Sequence, residues 1–162
     1  AVQIAKAMGA KVTGVCSTRN INLVKSIGAD DVIDYTKEDF LDSNKQYDVI
    51  LATAGFRSIH DYKKALKPNG RYVATGGHMK QIFQPMYIGP FISSKKGRHL
   101  SGLMHKTSNN DLSFIMELME TGKIKPVIDK TFTLDRTVEA FQYYSTGKTR
   151  GKVIITFNSP GS

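Results

Sequence analysis

A run of three polar residues, Ser17, Thr18 and Arg19, carries the side chains best suited to binding chemistry in this sequence. Two hydroxyls and a guanidinium are donors that hold a phosphate group, and no acidic residue follows before Asp30. This combination favours the binding of a phosphate monoester. In the alternative interpretation the same residues are structural: Ser17 and Asn20 cap a helix, and Arg19 is a surface cation.

The polar run lies where a predicted strand ends and a predicted helix begins. Apolar spacing and glycine stops indicate helices at three places: residues 1–9, 17–28 and 59–66. Short apolar runs indicate strands between and after them, at residues 11–16, 31–34, 47–51 and 71–75. Strands that alternate with helices of about ten residues are typical of an α/β protein with a parallel sheet.

The carboxyl ends of parallel strands are where such proteins bind ligands. Alternating strand and helix units of this kind bind dinucleotides. Small residues at two of these ends would let the backbone approach the ribose and nicotinamide of such a ligand: Ala54, Gly55, Gly76 and Gly77. Glycines at strand ends are also common as plain turns. An NAD site has an acid after the second strand, whereas the 2′-phosphate of NADP needs donors there. We expect residues 1–9 to be the second half of the first helix of such a unit, which makes the strand at residues 11–16 its second strand. The donors at residues 17–19 therefore predict NADP(H) as the cofactor.

Ordered motifs extend over nearly all of the chain. They are Ala-Lys-Ala-Met-Gly-Ala-Lys-Val at residues 5–12, Gly-Ala-Asp-Asp-Val-Ile-Asp-Tyr at 28–35, Ala-Leu-Lys-Pro-Asn-Gly-Arg at 65–71, Gly-Lys-Ile-Lys-Pro-Val-Ile-Asp at 122–129 and Arg-Gly-Lys-Val-Ile-Ile at 150–155. Each is weak alone. Together they resemble the medium-chain dehydrogenase/reductase superfamily, and within it the quinone oxidoreductase-like, zinc-type alcohol dehydrogenase-like branch.

The resemblance implies a Rossmann-like, doubly wound parallel sheet. Members of the family begin with a catalytic barrel, and a first strand with a Gly-rich turn then holds the pyrophosphate. The glycines of this chain nowhere have the G-x-G-x-x-G spacing. We therefore expect a partial dinucleotide-binding domain at residues 1–122, without that strand and turn, a small α/β remnant of the catalytic domain at 123–157, and a tail at 158–162.

The resemblance also adds cofactor-binding residues. Tyr35 matches the family's tyrosine that reaches the same phosphate. By position, the backbone of three further residues is expected to contact the carboxamide: Leu103, Met104 and His105. Many relatives carry a lysine where this chain has Asn20, so the positive charge is expected to have moved to Arg19.

No catalytic residue can be assigned from the sequence. Hydride transfer is performed by the nicotinamide, and the protein orients it and excludes water. His78 and residues 79–92 are candidates for the substrate side of the site, although a packed loop or a subunit contact is an equal alternative. None of the four histidines has the spacing of a metal ligand, so no metal site is predicted: His60, His78, His99 and His105.

Residues 98–103 are predicted to form an edge strand, and a helix begins after it at Asn109 or Asn110. The apolar stripe of this helix is expected to face the core: Leu112, Ile115, Met116 and Met119. In relatives the edge strand pairs with its twin across a two-fold axis. The resemblance therefore implies a homodimer through residues 98–103.

Composition narrows the class of protein further. The net charge is +9, but the basic residues are spread along the chain and no tryptophan is present, so a nucleic-acid partner is disfavoured. The single cysteine, Cys16, is predicted to be a small core residue and fits a reducing cytoplasm. The longest apolar stretch, residues 82–92, is too short to span a membrane.

These observations favour a parent protein that is an NADPH-dependent oxidoreductase acting on a quinone, an enone or a related carbonyl. The truncated chain itself is expected to be inactive. The alternative is a non-catalytic module that binds a nucleotide or associates with RNA through a Rossmann-like fold. A methyltransferase is disfavoured, because the acid that it would carry after the second strand is missing.

Overall fold

The computed structural model describes residues 1–42, 44–53, 57–76, 97–102 and 108–157. It has five α-helices in this part of the chain: α1 (Val2–Ala7), α2 (Ile21–Ser26), α3 (Ile59–Ala65), α4 (Asn109–Glu120) and α5 (Thr137–Ser145). Two 3₁₀ turns precede α2 and α5, at Thr18–Asn20 and Leu134–Arg136. The strands are β1 (Thr13–Cys16), β2 (Asp31–Asp34), β3 (Tyr47–Ala52), β4 (Leu66–Ala74), β5 (His99–Gly102), β6 (Ile128–Thr133) and β7 (Lys152–Thr156).

The described strands form three sheets. The orders are β1-β2, β3-β4-β5 and β6-β7. β3 and β5 both run parallel to β4, with Ile50 opposite Tyr72 and Tyr72 opposite Leu100, and β6 runs parallel to β7. The prediction of an α/β protein with parallel strands is therefore confirmed.

The chain divides into two compact units. The first unit contains residues 1–32 and 109–162, and the second unit contains residues 33–108. These units are defined by the contacts of the chain with itself. The expected domain boundary after residue 122 comes from the resemblance to the family, so it stays a prediction. The predicted tail at residues 158–162 lies outside the described residues.

The core of the second unit lies between α3 and the strands β3, β4 and β5. Leu66, Tyr72 and Ile59 are almost fully buried there. The ring of Tyr62, on α3, stacks on two other rings. Its centroid lies 4.5 Å from that of Tyr72 and 5.9 Å from that of Phe40. Burial raises the pKa of the Tyr62 phenol, because an apolar environment disfavours the charged form.

β4 begins earlier than predicted. The sequence indicated a strand from Arg71 onward, but pairing with β3 starts at Leu66, and a register shift absorbs the intervening turn. Asn69 has a φ of 61° in this turn. A Cβ on Gly70 would lie 2.9 Å from the Lys67 carbonyl oxygen and 3.1 Å from the Tyr47 carbonyl oxygen, so only glycine fits. The turn is thus a bulge inside the strand.

Asp30 joins three elements of the first unit. Its carboxylate accepts hydrogen bonds from Lys6 Nζ on α1 at 2.8 Å and from the Val12 amide, just before β1, at 2.6 Å. The hydrogen bond from Lys6 is the main cause that lowers the pKa of Asp30, and the bond from Val12 lowers it further. Asp30 thereby fixes the turn that leads from α2 into β2.

The stabilisation by Asp30 should depend on pH. A carboxyl with a lowered folded-state pKa stabilises the folded chain above the unfolded-state pKa, about 4, and this contribution is lost as the pH falls further. We expect thermal unfolding midpoints of the wild type to exceed those of Asp30→Asn at neutral pH, with the gap closing below about pH 4. A gap that stays constant down to pH 3 would show that the charge of Asp30 is unimportant.

The apolar stripe of α4 does not face the core, which corrects the sequence-based expectation. Three of its four residues, Leu112, Met116 and Met119, are exposed by 62%, 51% and 42%. The fourth, Ile115, is half-buried, and Leu118, outside the predicted stripe, is buried. The side of the helix that carries Leu118 is the one covered by the first unit, and Leu118 also accepts a backbone hydrogen bond from Ile124. None of the described helices is both long and apolar enough to cross a bilayer.

Candidate functional site

The polar run at residues 17–19 forms the turn that follows β1. Ser17 is extended, and its carbonyl oxygen accepts a hydrogen bond from the Asn20 amide at 2.8 Å, which closes the 3₁₀ turn. Cys16, at the end of β1, is buried and anchors the start of this turn, as predicted for a small core residue. Thr18 and Arg19 are exposed, and Ser17 is half-buried. The end of β1 therefore presents a short, fixed turn whose side chains reach solvent.

The capping interpretation of this turn finds no support in the hydrogen bonds. The side chain of Ser17 makes no capping hydrogen bond to the 3₁₀ turn, and the side chain of Asn20 makes none to α2. A cap residue is favoured because its side-chain oxygen accepts a bond from an unpaired amide of the first helical turn. That reason for having Ser17 and Asn20 at these positions is absent.

Arg19 has one close neighbour that the sequence did not reveal. Its Nη2 atom lies 3.5 Å from the carbonyl oxygen of Gly147, which follows α5. Gly147 has a φ of 63°, a conformation that ends the helix and turns its carbonyl outward. This distance is at the upper limit for a hydrogen bond, so the bond is weak and does little more than orient the guanidinium.

The chemistry of residues 17–20 fits a phosphorylated ribose. Arg19 offers a planar set of N–H donors, and Ser17 and Thr18 offer hydroxyls. In addition, Asn20 Oδ1 is buried without a hydrogen-bond partner among the described residues. A buried acceptor left unpaired costs about 1–3 kcal/mol, and a ribose hydroxyl is a donor of the kind that would pair with it. The turn thus has donors for a phosphate and an acceptor for a sugar.

Tyr35 lies in the second unit, directly after β2. Its side chain is 61% exposed, whereas the preceding residue, Asp34, is only 5% exposed. Asp34 was not singled out in the sequence. The pattern Asp-x-Thr at residues 34–36 could have identified it, since a carboxylate followed two residues later by a hydroxyl is typical of a turn closed by the aspartate side chain.

Packing alone requires a glycine at position 76. A Cβ at this position would lie 2.8 Å from the carbonyl oxygen of Thr53, so the carboxyl ends of β3 and β4 can approach closely only around a glycine. Its contact with a cofactor stays a prediction. The other predicted strand-end and loop residues lie outside the described part of the chain: Ala54, Gly55, Gly77, Leu103, Met104 and His105. The same holds for His78 and residues 79–92.

A metal site finds no ligand set in the described residues. In residues 1–42, 44–53, 57–76, 97–102 and 108–157, no group of three or more His, Cys, Asp or Glu side chains could hold a metal ion.

The helices, the parallel strands and the polar turn after β1 together define an α/β protein of the Rossmann type. The family model described as zinc-binding dehydrogenase matches residues 27–155. The chain therefore belongs to the medium-chain dehydrogenase/reductase superfamily, which confirms the resemblance of its motifs.

Similar proteins include oxidoreductases of known sequence and structure. The chain is 34% identical over 160 residues to the chloroplastic quinone-oxidoreductase QR1 of Triphysaria versicolor, covering 96% of this chain and 47% of that protein. It is 36% identical over 173 residues to the mitochondrial NAD(P)H oxidoreductase RTN4IP1 of Bos taurus, covering 96% and 44%. The structure of the quinone oxidoreductase from Coxiella burnetii superimposes with a TM-score of 0.77 at 25% identity, covering 97% and 48%. The chain thus spans about half the length of the curated relatives it matches.

Proposed function

We propose that the whole protein is an NADP(H)-dependent oxidoreductase that transfers hydride to a quinone, an enone or a related carbonyl. The observation that carries the cofactor preference is the turn after β1. Ser17, Thr18 and Arg19 present donors there, no acid follows in the sequence before Asp30, and the Ser17 side chain makes no capping hydrogen bond. The substrate class is supported by the names of relatives, which include a quinone-oxidoreductase, a trans-enoyl reductase and 2-methylene-furan-3-one reductase.

Each residue of the proposed site has a binding role. A bound nicotinamide would supply the hydride, while the chain fixes its position and excludes water. Arg19 would bind the 2′-phosphate with charge-assisted hydrogen bonds, and the hydroxyls of Ser17 and Thr18 would complete the set of donors. Tyr35 would donate its phenol hydrogen to a phosphate oxygen of the cofactor.

Residues at the ends of later strands would hold the other half of the cofactor. Small residues allow the ribose and nicotinamide to approach the backbone: Ala54, Gly55, Gly76 and Gly77. The backbone of three further residues would bind the carboxamide: Leu103, Met104 and His105.

The proposal is tested in a full-length version, which is this chain joined to a segment that corresponds to the remaining half of the curated relatives. We expect NADPH to be consumed in the presence of a small quinone or an enone, and NADH to be consumed more slowly at equal concentration. Comparable rates with both cofactors, or no consumption of either, would contradict the proposal.

The chain of 162 residues taken alone is proposed to lack reductase activity and to bind NADPH poorly. Strands of parallel sheets are normally covered on both faces, yet Val15 of β1 and Val49 and Leu51 of β3 are exposed by 51%, 61% and 46%. The residues that the structure describes leave these side chains without a full cover. Fluorescence titration of the isolated chain with NADPH should show no saturable binding at micromolar concentrations, and micromolar affinity would refute this.

We further propose a homodimer through the edge strand at residues 98–103. β5 pairs with β4 along one edge, and its other edge is unpaired among the strands that the structure describes. An open strand edge is a template for pairing with a second copy.

The cytoplasm is the proposed location, because the single, buried Cys16 suits a reducing compartment. Two of the relatives are named as chloroplastic and mitochondrial.

Proline in β5 should disrupt this dimer. Proline lacks the amide hydrogen and is poorly tolerated in a paired strand, so His99→Pro is expected to shift the full-length version toward monomer in sedimentation. His99→Ala keeps the amide and should leave the dimer unchanged. A dimer that survives the proline with an unaltered melting temperature would point to a different interface.

A further inference from the structure

A loop near the carboxyl end of the chain lies beside the turn that carries Arg19. This α5–β7 loop is residues 146–151, Thr-Gly-Lys-Thr-Arg-Gly. Its Gly147 carbonyl oxygen lies 3.5 Å from Arg19 Nη2. The carbonyl carbon of Gly147 is bonded directly to the Lys148 amide nitrogen, so the backbone of Lys148 begins within about 3 Å of that oxygen. Lys148 is therefore a neighbour of Arg19 in space, although the two residues are far apart in the sequence.

Side chains brace the backbone of the α5–β7 loop on both sides of Lys148. The Thr146 hydroxyl donates to the Tyr143 carbonyl oxygen at 2.7 Å, and its oxygen accepts a hydrogen bond from the Lys148 amide at 3.2 Å. Further along, the Arg150 amide donates to Asp129 Oδ2 at 3.0 Å. The side chain of Lys148 itself is exposed. The loop thus presents a lysine to solvent from a fixed backbone.

Three exposed cations lie on the turn and the loop: Arg19, Lys148 and Arg150. Arg19 and Arg150 are close enough to the same phenol, that of Tyr143, for both of their charges to act on it. A hydrogen bond to Asp129 is the main cause that raises the pKa of Tyr143, and the two arginines oppose this rise. The Asp129 carboxylate is already engaged, by the Tyr143 hydroxyl at 2.8 Å and by the Arg150 amide. An anion bound between the turn and the loop would therefore meet several positive charges.

A 2′-phosphate needs more positive charge than the turn after β1 supplies. A phosphate monoester carries a charge of about −1.5 to −2 at pH 7. The turn offers a single positive charge, that of Arg19, because the other side chains of residues 17–20 are neutral. A second cation is therefore expected from another part of the chain, and the α5–β7 loop brings Lys148 next to Arg19.

We propose that Lys148 is a specificity-determining residue, which pairs with the 2′-phosphate of NADP(H) from the α5–β7 loop while Arg19 binds the same group from the turn after β1. This inference rests on the proposed function and deepens it. Cofactor choice then depends on two distant segments of the chain, and the segment at residues 123–157 contributes to it directly.

The test compares two ligands that differ only in the 2′-phosphate, adenosine 2′,5′-bisphosphate and AMP, by calorimetric titration of the full-length version. Lys148→Gln removes the charge and keeps most of the side-chain length. It is expected to weaken binding of the bisphosphate by about threefold to tenfold, the scale of an ion pair at an exposed site with a doubly charged partner, and to leave AMP binding unchanged. Lys148→Arg keeps the charge and should retain most of the affinity for the bisphosphate.

Lys25→Gln is the charge-matched control. Lys25 is exposed in the last turn of α2, and replacing it changes the net charge of the chain by the same amount. It should leave both affinities unchanged, because solvent and salt screen the charges of distant exposed groups.

Three results would overturn the inference: equal losses for both ligands in Lys148→Gln, no loss for either, or a loss of the same size in Lys25→Gln. The proposed function is judged separately, by the wild type and Arg19→Ala. A wild type that prefers NADPH and loses this preference in Arg19→Ala would leave the proposed function standing while Lys148 is excluded from the site.

Discussion

Replacing Arg19 with alanine in the full-length version is expected to weaken NADPH binding by about 10-fold to 150-fold, roughly 1.5–3 kcal/mol. A hydrogen bond between a guanidinium and a phosphate is charged on both sides and is among the stronger kinds. Arg19 is exposed, and its hydrogen bond to the Gly147 carbonyl is long, at 3.5 Å, so little has to be broken before it binds a phosphate. NADH lacks the 2′-phosphate, and its affinity should be nearly unchanged.

Two control variants sharpen this comparison. Arg19→Lys keeps the charge but not the planar pair of donors, so its NADPH affinity should fall between those of the wild type and Arg19→Ala. Arg136→Ala removes another exposed arginine of the same unit, one that pairs with Glu139 at 2.6 Å. It should leave both affinities unchanged. Equal losses of NADPH and NADH affinity in Arg19→Ala would contradict the assignment of the 2′-phosphate to this residue.

The largest expected effect on stability comes from Leu66→Ala. Leu66 is fully buried at the junction of α3 and β4, and it belongs to the cluster that contains Ile59 and Tyr72. Truncating a buried leucine removes favourable burial and leaves a cavity, at a cost of about 2–5 kcal/mol in the free energy of unfolding. Denaturant unfolding of the 162-residue chain should show the transition of the second unit at markedly lower urea concentration.

Leu51→Ala is the matched control for this prediction. Leu51 is in the same sheet, on β3, but its side chain is 46% exposed. The same change of residue should therefore cost less than about 1 kcal/mol. Comparable losses of unfolding free energy at Leu51 and Leu66 would show that Leu66 is not the more deeply buried of the two.

Local signals predicted most of the secondary structure. Gly9 and Gly28 were expected to end helices, and both have positive φ values, 80° and 103°. The start of β4 was missed, because Pro68, Asn69 and Gly70 are typical of a free turn, and only pairing with β3 turns them into a bulge. The prediction of which face of α4 packs against the core was also wrong. Periodicity locates an apolar face, but which face is covered depends on the rest of the fold.

The candidate site was only partly predictable for a similar reason. Residue types and spacing were enough to select Ser17, Thr18 and Arg19, since donor chemistry can be recognised without coordinates. The contact between Arg19 and Gly147 joins residues 128 positions apart and has no local signature. The burial of Asp34 likewise depends on packing, although its bond to Thr36 follows a short pattern in the sequence.

The most direct test of cofactor recognition uses two small ligands that differ by one group. Adenosine 2′,5′-bisphosphate and AMP share the adenine, the ribose and the 5′-phosphate, so calorimetric titration of the full-length version with each isolates the contribution of the 2′-phosphate. The roles given to Ser17, Thr18 and Arg19 predict at least about tenfold tighter binding of the bisphosphate, a difference that Arg19→Ala should greatly reduce. Equal affinity for the two ligands in the wild type would contradict the central claim.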